Sequence, residues 1–260
     1  MTGIQVIGLG ASAVAAGVIN AIAGGGTLVT FPALLAVGTP SVIANATSTV
    51  ALVIGTAGSV FGYRRQVDAV RPWLRKFVPV SLVGGLLGSM LLTHTGEAVF
   101  ARLVPFLLLF ATLLFMAQGT LRRHVRFSGG SPAAGSARSL AVWGAIAFQF
   151  AVAIYGGYFG AGIGILMLAS LGLLGLTDIH EMNTLKTILG SLINLVAAAW
   201  FVGSGLVDWP KAGVMTVGAL TGYYLGSHFA QRIPQATVRH LITAVGFVIS
   251  AWLFWRHFAL

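Results

Sequence analysis

Cysteine is absent from the 260 residues, and charge is scarce, with five Asp and Glu against fifteen Lys and Arg. Without cysteine there are no disulfides and no thiolate metal sites. The charged share is 8%, roughly a third of what soluble chains carry. With 57% hydrophobic residues and a mean hydropathy of +0.93, a water-soluble core of this length is excluded. The acids, Asp68, Glu97, Asp178, Glu181 and Asp208, all fall in expected loops or helix starts. A carboxylate relay for protons or sodium at membrane depth, common in coupled carriers, is therefore not visible. Paired aspartates, a zinc-ligand cluster and a Gly-x-Ser-x-Gly turn are missing too, so neither an intramembrane enzyme nor a metal or other cofactor is expected. Met1-Thr-Gly-Ile-Gln-Val lacks a basic n-region, which argues against a cleaved signal peptide despite the small residues Ala11, Ser12 and Ala13.

What is present is a succession of apolar runs long enough to span a bilayer, the mark of a multi-pass helical membrane protein. The net charge of +10 resembles a nucleic-acid signal only in total. Five of the basic residues lie between Arg64 and Lys76 and four between Arg122 and Arg138, in gaps between apolar runs. That is the positive-inside bias of cytoplasmic loops, and no nucleic-acid partner is expected.

The chain is organised around Asn20 to Thr49, where Gly24-Gly25-Gly26-Thr27, Pro32 and Gly38-Thr39-Pro40 interrupt apolar sequence. Glycine costs about 1 kcal/mol and proline about 3 in a helix interior. In lipid such a break is tolerated only where the freed backbone groups face protein or a polar cavity. Many carriers build their substrate site from such broken helices. The stretch returns as Tyr158-Phe-Gly160-Ala-Gly162-Ile-Gly164, closing with Asn183 to Thr187.

A constant offset of 138 residues relates Gly24 to Gly162, Gly26 to Gly164, Asn45 to Asn183 and Thr49 to Thr187. It also relates Pro72 to Pro210, Gly84 to Gly222, Gly88 to Gly226 and Ser89 to Ser227. The chain is thus read as a duplication: repeat one over 1–120, a flexible cytosolic linker over 121–139, and repeat two over 140–260. The third-run loop carries five Lys and Arg in the first half, whereas Gly203 to Lys211 carries only Lys211. The fourth-run loop reverses this, with Arg102 alone against Arg232 and Arg239. Corresponding loops therefore face opposite sides. The expected fold is an all-α polytopic membrane protein of two inverted repeats. Each has four long transmembrane helices and one short broken or re-entrant segment.

Ile19 to Leu35 with its Ala-Gly-Gly-Gly-Thr core, Ala44-Asn-Ala-Thr-Ser-Thr-Val-Ala-Leu and Gly62-Tyr-Arg-Arg65 resemble the sulfite exporter TauE/SafE family. So do Tyr155-Gly-Gly-Tyr-Phe-Gly-Ala-Gly162, Leu185-Lys186-Thr187 and Asn194-Leu-Val-Ala. The likeness spans nearly the whole chain, although the second glycine run is leaner than the first. It implies a multi-pass carrier of the inner (plasma) membrane for anions such as sulfite, sulfonates or sulfoacetate. The partners expected are a small anionic substrate and the lipid bilayer, with a homodimer admitted.

The residues are then weighed for this role. Gly24, Gly25, Gly26 and Thr27, with Gly162 and Gly164, place backbone N–H groups at the starts of short helices, where an anion is favoured. The competing reading is close helix packing, which holds for Gly84, Gly88, Gly218, Gly222 and Gly226. Asn45, Thr47, Thr49, Asn183, Thr187 and Asn194 bring amide and hydroxyl donors suited to sulfoxy oxygens, or else bond helix to helix. Lys186 sits just inside an apolar span, where it must snorkel, pair (with Glu181) or meet an anion. His228 is read as interfacial. Moving one negative charge outward across an inside-negative membrane releases about 2.3 kcal/mol per 100 mV, so potential-driven export is expected. Uptake of an organosulfonate and an anion channel are the alternatives.

Overall fold

The computed structural model describes residues 1–22, 24–127, 136–173, 176, 178–229 and 235–258. Among these the chain forms ten α-helices and one 3-10 turn, Arg64–Gln66. The first half holds α1 (Gly3–Ile22), α2 (Thr27–Ala36), α3 (Ser41–Gly62), α4 (Val67–Thr95) and α5 (Glu97–Phe127). The second half holds α6 (Ser136–Tyr158), α7 (Ile163–Leu173), α8 (Ile179–Gly203), α9 (Trp209–Phe229) and α10 (Gln235–Phe258). Five helices are long and apolar enough to cross a membrane: α1, α3, α4, α5 and α8. Helices α6 and α10 carry shorter apolar stretches, Val142–Tyr158 and His240–Trp255. The expected set of four long spans per half is therefore met only in part by length and composition. Helix α9, which falls outside both groups, carries Gly213, Gly218, Gly222 and Gly226 with Lys211 and His228.

The expected interruptions are where the sequence placed them. Helix α1 ends just before Gly24 and Gly25, which take φ of 77° and 101°. Helix α6 ends before Gly160 and Gly162, both at φ 81°. Residues with a Cβ avoid that left-handed region, so glycine is required there. The short helices that follow have 10 and 11 residues, about 15–17 Å at 1.5 Å per residue, half a bilayer core.

Two expected loops are helical instead. The basic stretch after α3 is a loop only as far as the Arg64–Gln66 turn, and from Val67 it belongs to α4. Val70 and Phe77 are buried there and Trp73 and Leu74 half-buried, while Arg71, Arg75 and Lys76 are exposed. That spacing of three and four gives a helix one apolar face beneath its charges. The presumed linker over 121–139 is likewise helical to Phe127 and again from Ser136, and residues 128–135 lie outside the described set. The acids do sit at helix starts. Glu97 begins α5 and accepts from the N–H groups of Ser41 and of Val42 (2.9 Å), capping α3.

The two halves interleave. Helix α1 packs most extensively on α9, and α4 on α6, each pair running parallel: Gly10 faces Val214 and Gly17 faces Gly222, while Ser81 faces Gln149 and Gly88 faces Ile154. Helices α3 and α8 cross antiparallel, since Ser191 donates to the Thr56 carbonyl (3.0 Å) while Asp208, just past α8, donates to Thr47 Oγ1 (3.1 Å). Helices α5 and α10 are antiparallel as well, with Phe106 on Phe254 and Thr112 against Gly246.

Glycine makes the parallel contacts possible. A Cβ on Gly88 would overlap the Ile154 carbonyl, and one on Gly222 the Val14 carbonyl. A Cβ on Gly213 meets nothing. Gly88→Ala and Gly222→Ala should each cost about 1–3 kcal/mol, the range for overpacking. Gly213→Ala should be neutral or slightly stabilising. Thermal unfolding in detergent checks this, and equal midpoints for all three would contradict the packing account.

Candidate functional site

The two interruptions meet at one cavity of about 850 Å³. Its wall takes Gly24, Gly25 and Thr27 from the start of α2 and Gly160, Gly162 and Gly164 from the start of α7. Helix α3 adds Thr49 and Thr56, and α8 adds Asn183, Lys186, Thr187, Ser191 and Asn194. Tyr63, Phe115 and Tyr223 line it as well. The exposed side chains of Tyr224 and Ser227, with Tyr63 beside the 3-10 turn, place the mouth at the end of the bundle where α3 finishes and α8 begins.

Of the thirteen residues singled out in the sequence, ten lie on this wall: Gly24, Gly25, Thr27, Thr49, Gly162, Gly164, Asn183, Lys186, Thr187 and Asn194. The other three, Gly26, Asn45 and Thr47, do not. The Gly26 N–H is taken by Asn20 Oδ1 at 2.7 Å. Asn45 is buried, and its amide donates to the Tyr158 carbonyl at 3.1 Å, tying α3 to the end of α6. Thr47 is buried and accepts from the Asp208 N–H. The matched pair Asn45 and Asn183 is thus divided, one as a helix tie and one as wall.

The glycines separate by role as well. Gly25 leaves room for the Phe115 ring and Gly26 for the Asn20 side chain, so both serve packing. An added Cβ on Gly24 would meet open space. At Gly164 the nearest atom is Lys186 Cδ, 3.2 Å from where a Cβ would stand, so the lysine stem lies along the start of α7. Leu28, Val29 and Thr30 turn their N–H groups back to Gly25 and Gly26, and Ile165 to Gly162. Among the described residues, the N–H groups of Gly25, Thr27, Gly162 and Gly164 donate to no backbone acceptor.

The electrostatics are one-signed. Two helix starts contribute roughly half a positive charge each. The described wall adds the half-buried Lys186 and holds no carboxylate. Asparagine and threonine supply neutral donors around them. The arrangement suits a small oxyanion and disfavours a cation. Among the described residues no group of three His, Asp or Glu is placed to hold a metal.

Sequence reasoning missed Asn20, Gly160, Ser191 and Tyr223. Asn20 corresponds to Tyr158 under the 138-residue offset, and Tyr223 to Gly85, so the repeat gave neither a matching partner. The signal available for Asn20 was its place four residues before the first glycine run. The Tyr223 ring rests on Gly55, and its hydroxyl is buried.

With this geometry in hand, the family model for the sulfite exporter TauE/SafE family matches residues 9–253. A protein of Haemophilus influenzae named "Probable membrane transporter protein" is 29% identical over 92% of both chains. The "Probable membrane transporter protein YfcA" of Escherichia coli is 28% identical over 93% of this chain and 86% of its own. "Probable membrane transporter protein ORF9" of a Sinorhizobium species is 26% identical over 90% and 87%. No solved structure matches the chain. A membrane transporter family and several long apolar helices together make this a multi-pass membrane protein.

Asn20→Ala should leave the buried Gly26 N–H unpaired and cost about 1–3 kcal/mol of stability. Thermal unfolding in detergent measures it, and an unchanged midpoint would show that the amide does not brace the α2 tip.

Proposed function

The chain belongs to the sulfite exporter TauE/SafE family, and from that premise we propose that it is a secondary carrier of sulfur-containing anions of the sulfite, sulfonate or sulfoacetate type. The observation that carries the reading is a cavity lined by both helix starts and by Lys186, with no carboxylate on its described wall. A sulfonate offers only acceptor oxygens at neutral pH, and sulfite is rich in acceptors, matching the amide, hydroxyl and backbone donors around the cavity. The site residues proposed are the ten on the wall, joined by Asn20.

The architecture proposed is a pair of inverted repeats, 1–120 and 140–260. Its support is directional. Helices α3 and α8 correspond under the 138-residue offset yet cross antiparallel, as do α5 and α10. The pairs α1 with α9 and α4 with α6 exchange under the same correspondence. Arg64, Arg71, Arg75 and Lys76 gather near the cavity mouth, so the positive-inside bias assigns that mouth to the cytoplasm of a plasma membrane. A cavity open to the cytoplasm is filled by cytoplasmic anion, and the inside-negative potential drives that charge outward. The direction proposed is export.

Proteoliposomes challenged with sulfite, sulfonates, sulfate and carboxylates test the substrate class. Lys186→Ala should weaken the preferred anion by about 10- to 100-fold, the value of a charge-assisted hydrogen bond. A variant with wild-type affinity would remove Lys186 from the site. Outward flux should rise with an imposed inside-negative potential, and flux indifferent to potential would rule out the electrogenic mechanism.

A further inference from the structure

The carrier reading leaves open what seals the cavity from the opposite face of the membrane. We infer that four aromatic rings, Phe31, Phe100, Tyr158 and Phe159, form the barrier, and that their small counterparts in the other half leave the cavity open at the basic end. The inference rests on the carrier reading above.

Phe159 is both cavity wall and first ring of the barrier. Phe31 meets it edge-on at 5.4 Å, and Phe100 lies 6.5 Å from Phe31 and 5.5 Å from Tyr158. Phe31 and Phe100 are 0% exposed and Phe159 2%. Beyond the rings the bundle is closed by polar ties. Tyr158 donates from its hydroxyl to Thr95 Oγ1 and accepts the Asn45 amide at its carbonyl, and Trp200 Nε1 donates to Thr93 Oγ1. Thr93 and Thr95 end α4, next to the Glu97 cap on α3, so the rings lie between the cavity and the end opposite its mouth.

Across the 138-residue offset, Tyr158 corresponds to Asn20, Phe159 to Ala21, Phe31 to Ala169 and Phe100 to Val238. Every ring has a small counterpart. Asn20 and Ala21 line the open cavity at the place where, in the other half, Tyr158 and Phe159 fill it. A related pair of helix breaks is therefore filled by rings on one side and lined by Asn20 and Ala21 on the other. Ring packing of this kind is worth more than its area, because edge-to-face pairs add to burial. Opening the far side must separate these four rings, and export requires that opening in each cycle.

Because the chain has no native cysteine, one introduced thiol reports access without background. Gly190 lines the cavity, and an added Cβ there has only an ordinary contact at 3.9 Å. Gly190→Cys in sealed, oriented vesicles should react with a membrane-impermeant thiol reagent from the side of the Arg64–Gln66 turn and far more slowly from the other. Adding Phe31→Ala with Phe159→Ala should raise the far-side rate by roughly a hundred-fold, as expected for removing core rings. Should that double variant fail to insert, Phe159→Leu keeps most of the volume and should give a smaller rise. Ala21→Phe should slow labelling at the open side. Equal labelling from both sides with the rings intact, or a far-side rate unmoved by their removal, would overturn the assignment. Labelling needs no transported substrate, so either result leaves the choice of anion to the flux assay.

Discussion

Backbone N–H groups released where a helix breaks in a low-dielectric interior must find acceptors, and this chain breaks two helices in matching places. At the first break Asn20 accepts the Gly26 N–H, and a tight turn absorbs those of Leu28 to Thr30. At the second, the Tyr155 hydroxyl donates to the Ala161 carbonyl, while Gly162 and Gly164 line the cavity and, among the described residues, their N–H groups donate to no backbone acceptor. The first tip is braced by Asn20, and each tip keeps two N–H groups without a backbone acceptor among the described residues. Lys186 lies along the second, adding charge of the same sign as the helix start. Helix starts favour an anion, which links the local backbone problem to the transport proposal.

Duplication built the frame, and divergence gave it polarity. The frame pairs each element with a counterpart, yet the side chains at equivalent positions differ in charge and size. Ser48 stands where the second half has Lys186, and the buried Ser48 and Thr30 hydroxyls bond each other at 2.6 Å. Gly85 stands where the second half has Tyr223. These exchanges turn a nearly symmetric scaffold into one with a charged, open pocket on one side and an aromatic seal on the other. A carrier with direction needs that inequality.

Much of this was legible in the chain itself, through glycine. Gly24 and Gly162 occupy left-handed backbone that only glycine takes freely, so the breaks could be placed to within a residue or two. Gly84 and Gly88 of α4 pack on α6, and Gly218, Gly222 and Gly226 of α9 on α1, a role that spacing by four exposed. The lysine just inside an apolar span had to snorkel, pair or meet an anion, and it lines the cavity. What failed was the assumption that matched residues share a role. Asn45 and Asn183 align, yet Asn45 is buried on the end of α6 and Asn183 lines the cavity, which no spacing reveals. Tyr223 and Asn20 went unnoticed because each is unmatched. The basic stretch after α3 was read as loop for its charge, although Val70, Trp73, Leu74 and Phe77 carried a helical face.

The central claim is that one anion sits between the starts of α2 and α7 beside Lys186. Crystals grown with selenite or selenate in place of the sulfur oxyanion, recorded at the selenium absorption edge, locate that anion directly. The account predicts a single strong anomalous peak in the cavity, within hydrogen-bonding reach of the Gly162 and Gly164 N–H groups and of Lys186 Nζ. A peak outside the cavity, or a cavity without selenium at concentrations that saturate transport, would contradict it.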